Sequence, residues 1–117
     1  RGYRRYSPGE YWAAGTLSNG EPDVALFVGS HRVEDFPPAA RAHLQRIPTI
    51  LLDSPLAKPA WTPTLRINTS VYGVHTAGTA YRMDDVPIPL RASLSTTDPS
   101  DAEVLTRIRA RIEEAQG

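Results

Sequence analysis

The chain has 117 residues, 40% of them hydrophobic and 22% charged, a size and balance that fit one globular domain with a single modest core. Thirteen lysines and arginines offset thirteen aspartates and glutamates, so no net field favours nucleic acid or an anionic membrane, and neither partner is implied. The absence of cysteine excludes disulfides, thiolate-held zinc or iron–sulfur clusters and a thiol nucleophile within this chain.

No apolar run approaches the ~18 residues of a membrane span, and no charged-then-apolar leader is present, so the chain reads as soluble and fits the cytoplasm. It opens at Arg1 without an initiator methionine, and RGYRRY reads as the interior of something longer. A fragment or a processed subunit is expected.

In chain order, Ser7-Pro8-Gly9-Glu10 is a capping box with proline at the first helical position, and it predicts a short helix over residues 8–17 ending before Asn19-Gly20. Val24-Ala25-Leu26-Phe27-Val28 is a continuous apolar run stopped by Gly29-Ser30, the pattern of a strand buried on both faces. Pro37-Pro38 opens a second helix that Ile47-Pro48 closes. Thr49-Ile50-Leu51-Leu52 then predicts a second buried strand ending at Asp53-Ser54-Pro55. The spacing between the strands leaves room for a crossover helix, so the pair is expected to be parallel, as a βαβ unit.

Residues 55–63, with Pro55, Pro59 and Pro63 around Trp61, read as an irregular loop. Residues 64–68 predict a third short strand, after which residues 73–85 are expected to run as a loop. Val86-Pro87-Ile88-Pro89-Leu90 alternates like a strand but carries two prolines, which restricts it to a sheet edge or an extended arm. Ser100-Asp101-Ala102-Glu103 is a second capping box, and Val104, Leu105, Ile108 and Ile112 give the terminal helix one apolar stripe. The expected fold is α/β and three-layered, a small, mainly parallel Rossmann-like sheet with flanking helices, in a single domain over residues 1–117.

Two strand ends carry the first candidate residues. Gly29, Ser30 and His31 follow the first predicted strand and Asp53 ends the second, and the carboxyl ends of parallel strands are where open α/β sheets place ligands. Glycine lets main chain approach a phosphate, and aspartate accepts from a ribose or a guanine edge; equally, both are ordinary turn residues. His75, Gly78, Thr79, Tyr81 and Arg82 supply imidazole, hydroxyl and guanidinium donors suited to an anion, or form a loop that merely covers the sheet. Asp84-Asp85 reads as a solvated turn rather than a metal site, and His31, His43 and His75 lack zinc-ligand spacing. There is no G-x-G-x-x-G, no Walker lysine and no G-x-S-x-G elbow. No catalytic residue and no metal ligand is assigned.

In order, RGYRRYSPGEY, DVALFVGS, PTILLD, INTSVYGVHTAGTAYRMDDVPIPLR and PSDAEVL resemble the carboxyl-terminal part of the B subunit of formylmethanofuran dehydrogenase, of the molybdopterin oxidoreductase family. The resemblance implies a site for molybdopterin guanine dinucleotide with molybdenum or tungsten, lined by Gly29, Ser30 and His31, by Asp53, and by Gly78, Thr79, Tyr81 and Arg82; His75 is counted with them from its place in the same loop. It also implies partner subunits of a formylmethanofuran dehydrogenase complex in C1 metabolism. The family's metal-ligating cysteine or selenocysteine and its catalytic histidine lie earlier in the polypeptide, so this chain holds no complete active site. A related bacterial formyltransferase/hydrolase complex carries a similar subunit thought to work without the metal centre, which makes a cofactor-free scaffold the alternative. A freestanding nucleotide-binding module is the third.

Overall fold

Residues 12–117 of a computed structural model are described; the capping box at Ser7 to Glu10 lies outside them. In chain order they form α1 (Ala13–Ser18), β1 (Ala25–Val28), a short 3-10 turn (Val33–Asp35), α2 (Pro38–Leu44), β2 (Thr49–Asp53), β3 (Leu65–Asn68), β4 (Gly78–Tyr81), β5 (Pro87–Leu90) and α3 (Asp101–Gln116). The chain divides into two compact units: one runs to Leu51 and resumes over Ala57–Arg66, and the other takes Leu52–Leu56 and Ile67–Gly117.

β1, β2 and β3 form a three-stranded sheet in that order. Its direction follows from the end-to-end bonds. Ala25 N–H reaches the Pro48 carbonyl, so β1 and β2 start side by side, and Thr69 N–H reaches the Asp53 carbonyl, so β2 and β3 finish side by side. The sheet is parallel, and the α/β class expected from the sequence is the one observed.

In the first unit, α1 stops where the sequence places Asn19-Gly20. Gly20 adopts φ +72°, and the N–H groups of Gly20 and Glu21 return to the carbonyls of Leu17 and Thr16, which satisfies the open helix end. Leu17, Val33, Ala40, Leu44, Leu51 and Trp61 form the buried core, with Ala25 and Phe27 packed against it. The Phe27 and Trp61 rings lie 5.0 Å apart at 55°. Trp61 therefore packs the proline-rich segment as expected, and its indole N–H donates to Thr49 Oγ1 at 3.2 Å. That same oxygen accepts from Thr64 N–H at 3.2 Å, while Thr49 N–H donates to Thr64 Oγ1 at 3.0 Å.

One expectation for β1 is corrected. Ala25 and Phe27 face the core, but Leu26 and Val28 are 42% and 51% exposed, so the strand is buried on one face only. Alternate side chains of a strand point to opposite faces, and Leu26 and Val28 point to the face that nothing among the described residues buries. β2, the central strand, does carry the burial expected of it, with Thr49, Leu51 and Leu52 at 1% exposure or less.

In the second unit, residues 73–85 are not the uninterrupted loop expected. Gly78–Tyr81 becomes β4 and pairs antiparallel with β5, Gly78 opposite Leu90 and Tyr81 opposite Pro87. Arg82 N–H bonds the Val86 carbonyl, Asp85 N–H bonds the Arg82 carbonyl, and Asp85 takes φ +61°, which together close a three-residue hairpin turn. The proline-bearing strand is an edge strand, as its sequence requires. α3 opens on the full Ser100 and Glu103 capping box. Along its apolar stripe Val104 is buried and Ile108 half-buried, while Leu105 and Ile112 remain exposed.

Candidate functional site

The residues singled out from the sequence are divided between the two units. Gly29, Ser30 and His31 belong to the first, and Asp53 with residues 75–82 to the second.

In the first unit the chain leaves β1 through Gly29 at φ +80°, a conformation that side chains with a Cβ rarely adopt. A Cβ placed there would meet nothing nearer than the His31 ring at 3.8 Å, so the glycine is required by conformation and leaves open space over the main chain. Ser30 follows, 4% exposed, and its carbonyl accepts Val33 N–H at 3.2 Å, which starts the 3-10 turn. His31 is exposed. The result is a glycine turn with accessible main chain at the carboxyl end of a strand, backed by a buried hydroxyl.

In the second unit Asp53 ends β2, half-buried. Its Oδ1 accepts Ser54 N–H at 2.8 Å and its carbonyl accepts Thr69 N–H at 3.0 Å, so the residue joins the end of β2 to the end of β3. Thr69 and Ser70, which follow β3, are 2% and 5% exposed. Ser70 N–H donates to the Pro99 carbonyl at 2.8 Å, and its hydroxyl lies 2.6 Å from Thr76 Oγ1.

Residues 70–76 then close on themselves. The Val71 carbonyl accepts the N–H groups of Val74, His75 and Thr76, and Gly73, at φ +77°, donates to the Thr76 carbonyl. Val71 N–H donates to His75 Nδ1 at 3.2 Å. With Nδ1 accepting, Nε2 is the ring nitrogen left to donate. Val74 ties the loop to residues 93 and 94, whose N–H groups both reach its carbonyl at 2.8 Å.

The remaining candidates stand on the hairpin. Gly78 packs closely on the Tyr72 ring, which a Cβ there would approach to 3.1 Å and push by a few tenths of an ångström. Thr79 is exposed and Tyr81 is 70% exposed. Arg82 is paired with Asp84, its Nε donating to Oδ1 at 3.0 Å and its Nη2 to Oδ2. That pairing holds the Asp84 carboxyl below its usual range and raises Arg82. In this arrangement the guanidinium is occupied by its own turn, and an anion would have to compete with Asp84 for it.

The structure thus gathers Asp53 with a hydroxyl-rich loop that includes His75, and sets Thr79, Tyr81 and Arg82 on a separate ladder. Thr69 and Ser70 are candidates the sequence reading passed over. The signal was present, because they follow the third strand as Asp53 follows the second, and the carboxyl-end rule applies to both. Among the described residues, no three histidine, aspartate or glutamate side chains come together as a metal-holding group, and no helix is long and apolar enough to cross a membrane.

No protein-family model matches the chain. Curated relatives do. The B subunit of the tungsten-containing formylmethanofuran dehydrogenase 2 of Methanococcus maripaludis is 33% identical over 116 residues, and that of Methanocaldococcus jannaschii is 37% identical over 121. Each alignment takes in 97% of this chain and 27% of the relative. Among solved structures, the formyltransferase/hydrolase complex from Methylorubrum extorquens, in complex with methylofuran, contains a chain with a TM-score of 0.69 and 28% identity. That match covers 92% of this chain and 30% of the other, so the present chain spans less than a third of the proteins it matches. Along nearly its whole length, the chain is therefore a relative of one segment of the formylmethanofuran dehydrogenase B subunit, the family its motif order resembles.

Proposed function

We propose that the chain is a domain of a protein like the formylmethanofuran dehydrogenase B subunit, that it works in C1 metabolism within a cytoplasmic assembly of several subunits, and that it lines the site of a molybdopterin guanine dinucleotide. The observation that carries this reading is the pair of tungsten-containing relatives aligned to 97% of the chain. The donor chemistry fits the nucleotide end of such a group. Gly29 leaves main chain open to a phosphate, Ser30 and His31 extend that turn, Asp53 offers a carboxylate to the N–H edge of a guanine, and His75 offers Nε2–H. Gly78, Thr79, Tyr81 and Arg82 are the further contacts proposed from the hairpin, with Arg82 exchanging Asp84 for an anionic oxygen. When bound, the group supplies the redox-active molybdenum or tungsten; the residues of this chain bind and orient its nucleotide.

A second reading is favoured by the match to the formyltransferase/hydrolase complex: a scaffold domain that holds partner subunits and binds no cofactor. Metal and pterin analysis of the intact native assembly separates the two. Stoichiometric molybdenum or tungsten with GMP released on hydrolysis supports the first, and neither metal nor GMP leaves the scaffold.

A further inference from the structure

The loop over residues 70–76 is tied across its neck twice. Val71 N–H donates to His75 Nδ1 at 3.2 Å, and the residues flanking that contact, Ser70 and Thr76, bring their hydroxyl oxygens to 2.6 Å of each other. The hydroxyl pair is not what attaches the loop: Ser70 N–H bonds the Pro99 carbonyl, and the Val74 carbonyl takes the N–H groups of Ser93 and Leu94. What the pair adds is control of one peptide. The N–H that meets His75 belongs to the Ser70–Val71 peptide, and with Ser70 held at its own N–H and at its hydroxyl, that plane has little freedom to turn. Ser70 is 5% exposed, so water is a poor substitute partner for its hydroxyl. Every one of these bonds lies inside the second unit, so nothing beyond it is needed to supply them.

We propose that Thr76 is a positioning residue: through Ser70 it holds Val71 N–H on His75 Nδ1, and so keeps Nε2 as the donor to an anionic oxygen of the nucleotide. The inference rests on the reading of His75 as a nucleotide contact given above. Thr76 itself touches no ligand in this role. Without the hydroxyl pair the Ser70–Val71 peptide turns, Nδ1 loses the N–H that fixes it, and the imidazole is free to flip and exchange the roles of its two nitrogens. The cost falls on binding, because the donor must then be ordered when the ligand arrives.

In the intact native assembly, GMP recovered at limiting cofactor reads the affinity. His75→Ala should lower that affinity by about ten-fold and Thr76→Val by about three- to ten-fold, while Thr76→Ser, which keeps the hydroxyl, should match the parent. Because Thr76 acts through His75, T76V should lower it no further in an H75A background. Hydrogen exchange adds a readout into which cofactor binding does not enter. In the free full-length protein the Val71 amide should be protected, and T76V should speed its exchange by roughly ten-fold while Ser93 and Leu94 keep theirs. A Val71 amide that exchanges like an exposed one in the parent overturns the proposal with no substitution made, which decides the case where T76V misfolds. A T76V loss that T76S shares, or that persists in full beside H75A, overturns the positioning role and leaves the cofactor reading standing. Parent assembly whose GMP is unchanged by H75A removes His75 from the site and this role with it, while Gly29 and Asp53 keep theirs. Parent assembly without GMP overturns both the proposal and the reading on which it rests.

Discussion

Ser100 uses its main chain and its hydroxyl together at the start of α3. Its N–H donates to Glu103 Oε2 at 2.7 Å, its hydroxyl donates to the same oxygen at 2.9 Å, and Glu103 N–H returns to Ser100 Oγ at 3.3 Å. Ser100→Ala should therefore cost about 1 kcal/mol, read from denaturant titration. The same bonds, the Ser100 N–H first, hold the Glu103 carboxyl below the ordinary glutamate range. A depressed carboxyl stabilises the fold above its unfolded value, and that contribution fades as pH falls through the folded value. Acid titration followed by circular dichroism should show helix lost on that limb, with a shallower dependence in S100A. Asp53 tests the proposed nucleotide contact. In the intact assembly, Asp53→Ala should lower GMP recovered per complex at limiting cofactor, through an affinity loss of roughly ten- to a hundred-fold. Unchanged GMP would remove Asp53 from the site. Both residues were legible in the sequence, Ser100 from its spacing to Glu103 and Asp53 from its place after an apolar run. Thr69 was legible only as a position past the third strand; its burial was not, because that depends on the pairing of β3 with β2.

At the scale of elements, the best-determined part of the first unit is the lock at the start of β2. Thr49 Oγ1 takes two donors, from Trp61 and from Thr64. Thr49→Val preserves shape and removes that acceptor, leaving a buried indole N–H and a main-chain N–H unsatisfied. A loss of about 2 to 4 kcal/mol is expected from chemical denaturation, against well under 1 kcal/mol if water reached both groups. Leu51→Ala, at a fully buried position of the same strand, should cost about 2 to 5 kcal/mol. The hairpin offers the contrast. Its turn places Asp85 at φ +61°, where glycine is unstrained, so Asp85→Gly should leave stability unchanged or slightly raised, and Asp85→Val should lower it by about 1 to 2 kcal/mol. Thermal unfolding of both variants checks this pair. The two prolines of β5 announced an edge strand; GTAY did not announce its partner, because four residues that mix strand-favouring threonine and tyrosine with glycine and alanine are too short and mixed a signal.

For the molecule as a whole, the order of amino acids was enough to establish the α/β class, the span of β2, the start of α3 and the relationship to the dehydrogenase's B subunit, because each rests on local signals: an apolar run bounded by proline and aspartate, a reciprocal cap, a fixed order of motifs. Folding in three dimensions settled what local signals cannot contain. One face of β1 meets the core and the other is left open among the described residues, so Leu26 and Val28 stay exposed although their run looks fully buried. Antiparallel pairing with β5 turns part of an apparent ligand loop into β4. The hydrogen bonds of the turn pair Arg82 with Asp84, so an anion would have to compete with that carboxylate for it. Each outcome depends on which distant segment arrives alongside, and the burial of a strand face, the pairing of an edge and the partner of a charge are properties of that arrangement rather than of any one stretch of chain.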